Sequence, residues 1–113
     1  MVLTLTIQVT AEKHIKLIGF GASIHVDPQY IQYLQQIDLS LINKAYSAPE
    51  IFEKGFSKQS DIFSFGVICF EIATKTFFNS YIYVNDTRPV FTLKDKKFEE
   101  MVKKCCEHNS NER

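Results

Sequence analysis

Three thiols and one imidazole are the groups most able to do metal or covalent chemistry: Cys69, then Cys105 and Cys106 followed by His108. A structural zinc site takes four such ligands, usually as two closely spaced pairs. Cys105 and Cys106 are adjacent, so on a helix they diverge by about 100°. Only Cys105 and His108 share a face, and no second pair stands at metal spacing, so no zinc site is expected. An odd cysteine count without regular spacing is not a disulfide framework, and all three read as reduced thiols. Gly19-Phe20-Gly21 offers backbone chemistry instead. Two glycines around an aromatic predict special dihedral angles beside a buried anchor, whereas a phosphate cradle needs more glycines and a helix directly after them. Lys94, Lys96, Lys97, Lys103 and Lys104 are interleaved with Asp95, Glu99 and Glu100, which is the pattern of a solvated helix face.

These groups must be positioned by a chain of 113 residues with 45% apolar content, enough for one domain around one core. Thirteen basic and thirteen acidic side chains cancel, so no field recruits nucleic acid or an anionic membrane, and neither partner is expected. The organising stretch is Ser60-Asp61-Ile62-Phe63-Ser64-Phe65-Gly66-Val67-Ile68-Cys69-Phe70-Glu71-Ile72-Ala73-Thr74. Ser60 is the expected N-cap and Asp61 adds negative charge at the first turn, while apolar side chains all round the cylinder predict a buried helix. It is too short for a membrane span, which needs roughly 20 apolar residues, and carries Glu71 too deep. The opening Met1-Val2-Leu3-Thr4-Leu5-Thr6 has no signal-peptide pattern, and with reduced thiols it predicts an intracellular, cytoplasmic chain.

Residues 2–10 alternate between Leu3, Leu5, Ile7, Val9 and their polar neighbours, which predicts a half-buried strand. A polar turn at Ala11-Glu12-Lys13 leads to a second strand, His14-Ile15-Lys16-Leu17-Ile18, and so to a hairpin. Residues 22–47 are expected to form a partly ordered loop, with a short helix allowed around Tyr30, Ile31, Leu34 and Ile37. Ala48-Pro49-Glu50-Ile51-Phe52-Glu53 suits a short helix with Gly55 as its left-handed stop. An irregular aromatic stretch follows Thr74, with a turn at Asn85-Asp86. A last helix is expected from about Leu93 to Glu107, with Thr92 and Asp95 as its capping pair and Phe98, Met101, Val102 and Cys105 as the stripe that docks on the core.

In order along the chain, Lys16-Leu17-Ile18-Gly19-Phe20-Gly21, a loop, Ala48-Pro49-Glu50, and Ser60-Asp61-Ile62-Phe63-Ser64-Phe65-Gly66-Val67 resemble the C-terminal lobe of protein kinases, whose signatures include Asp-Phe-Gly and Ala-Pro-Glu. Phe98 to Arg113 resembles a later helix and arginine of tyrosine kinases and their serine/threonine relatives. The resemblance implies a mostly α fold with a short N-terminal β-hairpin. It divides residues 1–113, as one partial kinase-like domain, into a hairpin (1–18), an activation-segment-like part (19–50) and a helical C-lobe core (51–113). It also implies structural roles for Phe20, Gly21, Ala48, Pro49, Glu50, Asp61, Gly66 and Arg113. Among these, Glu50 and Arg113 resemble the ion pair that ties the activation segment to the lobe, and Asp61 the aspartate that holds the catalytic loop. Ser23, Tyr30, Tyr33, Ser40 and Tyr46 fall on the activation-loop-like part, where a phosphate would recruit or order a basic partner.

The same resemblance implies an inactive chain. Phosphoryl transfer needs Mg²⁺ on the phosphates, a lysine to hold them and an aspartate to take the substrate proton. The metal-binding aspartate of the family is Gly19 here, which has no oxygen side chain for a hard cation. Aligned without gaps, Met1, Leu3 and Thr6 fall at the catalytic aspartate, its neighbouring lysine and the second metal-binding asparagine, and Gln8 falls under the adenine ring. The N-terminal lobe is expected to be absent. No catalytic, cofactor-binding or metal-binding residue is therefore assigned, and no cofactor is expected for this chain alone, although the family uses ATP and Mg. The expected function is that of a catalytically dead kinase-like relic or protein-interaction module whose uncovered core surface binds a protein partner or a second copy. The alternative is a fragment of a longer kinase whose N-lobe and catalytic loop lie upstream.

Overall fold

The computed structural model describes residues 6–20, 23, 43–78 and 91–113. Residues 1–5, the candidate helix at Tyr30–Ile37 and the candidate turn at Asn85-Asp86 lie outside them. Strands β1 (Thr6–Val9) and β2 (Ile15–Ile18) pair antiparallel with Val9 opposite Ile15 and Ile7 opposite Leu17. The connection is longer than the expected three-residue turn: Thr10 N–H donates to the His14 carbonyl (2.9 Å), and Lys13 takes a left-handed φ of 63°. Ile7, Val9, Ile15 and Leu17 thus share one face, as the alternation predicts. Ile7 is half-buried as expected, but the rest of that face is open: Val9 is 63% and Ile15 71% exposed, and among the described elements the strands pack chiefly on each other.

Ala48-Pro49-Glu50 forms a turn rather than the start of a helix, and α1 covers Ile51–Lys54. It stops at Gly55, whose φ of 79° is open to a residue without a Cβ and whose N–H closes on the Ile51 carbonyl (3.0 Å). Helix α2 runs Lys58–Thr74, its cap three residues before the expected Ser60. Ser57 is the cap. Its Oγ accepts from Ser60 N–H (3.2 Å), while Ser60 Oγ accepts from Ser57 N–H (3.0 Å), so Ser60 is the third helical residue of a reciprocal box. Helix α3 covers Lys96–Cys105. Asp95 alone caps it, its Oδ1 accepting from the N–H groups of Lys97 (2.9 Å) and Phe98 (3.0 Å), and Thr92 and Leu93 stay outside the helix.

The core lies between α2 and α3. Ser60, Phe63, Ser64, Val67 and Phe70 recur at helical spacing on the covered face of α2 and meet Ala48, Ile51, Phe78, Val102 and Cys106. Phe70 sits edge-on to Phe78 (5.3 Å) and Phe91 (4.8 Å), the arrangement ring quadrupoles favour. The expectation of a helix buried all round is corrected here, since Ile62, Phe65 and Ile72 remain exposed on the opposite face. No helix among the described residues is long and apolar enough to cross a membrane.

Glu99 closes the approach to α3. Its carboxylate accepts from Leu93 N–H (2.6 Å), Lys96 Nζ (3.0 Å) and Lys103 Nζ (2.8 Å). Those bonds, led by that from Lys103, lower its pKa from the usual 4.5 to about 2. Because the folded-state value is depressed, the stabilisation is complete above about pH 4.5 and is lost as pH falls towards 2. Melting temperature followed over that window should fall more steeply for the natural chain than for Glu99→Gln, which has no such carboxylate to protonate.

Candidate functional site

Beyond β2 the backbone turns at Gly19 with a φ of 86°, as the glycine predicts. The side chain of Phe20 is 47% exposed and so is not the expected buried anchor, and Gly21 lies outside the described residues. Phe20 carbonyl accepts from Ser23 N–H (3.0 Å), and Ser23 Oγ is buried without a hydrogen-bond partner. Position 19 carries no side-chain oxygen, and Gln8 on β1 is exposed. Met1 and Leu3 lie outside the described residues, as does the side chain of Thr6. Position 19 itself offers a cation no carboxylate, and the one carboxylate among described residues 6–20 is Glu12, in the exposed turn between β1 and β2.

The charged side chains gather instead at the N-terminal end of α2. Glu50, in the turn before α1, is nine-tenths buried, and its Oε2 meets Arg113 Nη2 at 2.5 Å. The Arg113 side chain is fully buried. Its Nε donates to the Glu107 carbonyl (2.7 Å), Nη1 to the Gln59 carbonyl (2.8 Å) and Nη2 also to the His108 carbonyl (3.2 Å). The guanidinium carbon lies 5.1 Å from the centre of the Phe63 ring. One planar cation thus joins the turn before α1, the first turn of α2 and the segment after α3, which a five-donor fork does and a point charge does not. Glu50 Oε1 is buried without a hydrogen-bond partner. Beside the pair opens a cleft of about 330 Å³ lined by Pro49, Glu50, Glu53, Lys54, His108, Asn109 and Ser110.

A second polar node, unexpected from the sequence, lies farther along α2. Tyr46, in a 3₁₀ turn over Lys44–Tyr46, donates its hydroxyl to Glu71 Oε2 (2.9 Å), and Glu71 Oε1 accepts from Phe78 N–H (3.1 Å). Ser64 Oγ donates to the Tyr46 carbonyl (2.7 Å). The hydrogen bond to Glu71 leads the causes that push the Tyr46 phenol above its ordinary range. A lone glutamate within an apolar helical run was the signal in the sequence, since a carboxylate facing a core needs donors. Of the five hydroxyl candidates, Tyr46 and Ser23 are described, and the Tyr46 hydroxyl is engaged.

Gly66 and Asp61 both lie on α2, Asp61 in its first turn and Gly66 on the covered face. A Cβ at Gly66 would stand 2.6 Å from Cys105 Cβ and 2.7 Å from Cys106 Sγ, so the missing side chain is what lets the end of α3 touch α2. Cys69, Cys105 and Cys106 are free thiols. Burial pushes all three up, Cys106 to about 12, so they favour the protonated form. Among the described residues no group of three or more His, Cys, Asp or Glu side chains is gathered to hold a metal ion.

A family model described as protein tyrosine and serine/threonine kinase matches residues 4–113. No curated protein and no solved structure matches the chain.

Proposed function

The chain belongs to the protein tyrosine and serine/threonine kinase family, and from that membership we propose that it is a lobe which keeps the family's internal ties but does not itself transfer phosphate, and works by binding protein. The observation that carries this is Gly19, which stands where the family's metal-binding aspartate precedes Phe20-Gly21. Mg²⁺ takes hard oxygen ligands in near-octahedral geometry, and a glycine has no side-chain oxygen to give it. Position 19 therefore does not fit a magnesium-bound nucleotide.

The Glu50–Arg113 pair and the Gly66 contact belong to the scaffold on this reading, not to chemistry. The exposed faces of α2 and of the hairpin supply the binding surface: Ile62, Phe65 and Ile72 on one, Val9, Ile15 and Leu17 on the other. Purified protein incubated with γ-labelled ATP and Mg²⁺ should transfer no label above a mock purification, and ATP with Mg²⁺ should leave its melting temperature unchanged. Label transfer in proportion to the protein's own concentration would overturn the proposal.

The same uncovered apolar faces favour a second reading, in which the chain is part of a longer kinase-like polypeptide whose other segments cover them. Coding sequence read in frame upstream of Met1 decides between the two. A catalytic aspartate and a phosphate-pairing lysine there would restore an enzyme, though Gly19 would still weaken its hold on the metal.

A further inference from the structure

The cysteines take no part in either reading of function, yet the α2–α3 contact gathers them. Gly66 and Cys69 lie three residues apart on α2, hence on one face with Cβ positions about 5–6 Å apart. Cys105 Cβ presses against that face, 2.6 Å from where a Gly66 Cβ would be. Cys105 is also the last residue of α3, where a helix yields most easily. Cys69 and Cys105 are each partly exposed, within reach of a small oxidant, whereas Cys106 is shut off from solvent. Besides burial, the nearby Cys105 contributes to raising the Cys69 thiol.

We propose that Cys69 and Cys105 are an oxidisable pair that closes into a disulfide between α2 and α3 when the chain meets a peroxide. One thiolate attacks a peroxide oxygen and the O–O bond breaks, giving a sulfenic acid, while the hydroxide released takes the proton the thiol had lost and leaves as water. The second thiol attacks that sulfur, the S–O bond breaks, and a second water departs with the thiol proton as the S–S bond forms. Two thiols lose two electrons to one hydrogen peroxide. Because burial favours the protonated thiols, the reaction is slow near neutral pH and accelerates as pH rises. Closure needs the two Cβ atoms to settle about 3.5–4.5 Å apart, and it would pin the end of α3 to α2 without any reliance on the kinase-like assignment.

Trypsin separates the partners, since Cys69 falls in peptide 59–75 and both Cys105 and Cys106 in peptide 105–113. The full chain is treated with hydrogen peroxide, its remaining thiols are alkylated, and it is digested without reductant. Mass spectrometry should then show peptides 59–75 and 105–113 joined, from protein that runs as a monomer. The joined species should persist in Cys106→Ser, vanish in Cys105→Ser and Cys69→Ser, and fall several-fold when oxidation is done in concentrated urea. Fragmentation of the joined species from the natural chain places the bond at Cys105 or Cys106 even where a variant does not fold. A bond at Cys106, a disulfide confined to peptide 105–113, joined peptides only from dimers, an equal yield in urea, or alkylation at all three cysteines would each overturn the proposal.

Discussion

Glu50→Gln is expected to lower the free energy of unfolding by about 3–5 kcal/mol, the usual cost of leaving one member of a buried ion pair without its counter-charge. Arg113 is fully buried and Glu50 is its only carboxylate hydrogen-bond partner among the described residues. A neutral amide accepts one hydrogen bond from the guanidinium but leaves its charge uncompensated. A typical domain holds only about 5–15 kcal/mol in all, so much of the margin goes with one atom's charge. Arg113→Lys should recover little: an ammonium does not reach the Glu107, Gln59 and His108 carbonyls together with Glu50 Oε2. Urea unfolding followed by far-ultraviolet circular dichroism reads the loss as a lower midpoint at similar slope. The double variant Glu50→Met/Arg113→Met should lose less than the sum of its two single variants, because no isolated charge remains. Single variants within about 1 kcal/mol of the natural chain would show that the pair is exposed to water in solution.

Gly66→Ala is the second large effect, and two principles disagree about its sign. Alanine is the better helix former by about 1 kcal/mol, so a view confined to α2 predicts a gain. The added methyl, however, would stand 2.6 Å from Cys105 Cβ and 2.7 Å from Cys106 Sγ. Neither obstacle is the tip of a flexible side chain: one is fixed to the backbone of α3, the other belongs to a residue that is 0% exposed. Overpacking of this kind costs about 1–3 kcal/mol, which exceeds the propensity gain over most of its range. A net loss is expected, larger for Gly66→Val, whose branch adds further volume and a less favourable helix propensity. Cys106→Ala removes the sulfur and should rescue part of the Gly66→Ala loss in a double-variant cycle. A gain in stability for Gly66→Ala alone would mean that α3 sits farther from α2 than 2.6 Å to that methyl implies.

Where the sequence was legible, the signal was local. The alternation at Ile7 and Val9, continued across the turn by Ile15 and Leu17, marked a hairpin, and Ser60 and Asp61 at the head of an apolar run marked a helix. The element ends were missed for local reasons too. Two serines three apart both have the chemistry of a cap, and which one leads is settled by the reciprocal bonds between them. Thr92 and Asp95 were expected to cap as a pair, but Asp95 alone is the cap, accepting from the N–H groups of Lys97 and Phe98. Burial was misjudged where hydrophobicity lacked direction. Apolar residues all round α2 implied cover on every side, yet Ile62, Phe65 and Ile72 are left open, as are Val9, Ile15 and Leu17 of the hairpin. Glu71 was read only as a bar to a membrane span, and its service to Tyr46 and Phe78 needed the chain to fold back on itself.

Taken alone, the amino-acid order determined the family, and that position 19 is a glycine with no side-chain oxygen, because side-chain identity and short-range spacing are all that either requires. Only the tertiary structure decided which face of α2 is covered, that Gly66 is the point where α3 touches it, and that Arg113 reaches Glu50 across 63 positions of chain. Close packing and paired buried charge depend on distances between segments remote in sequence, and those exist only once the chain has closed around its core.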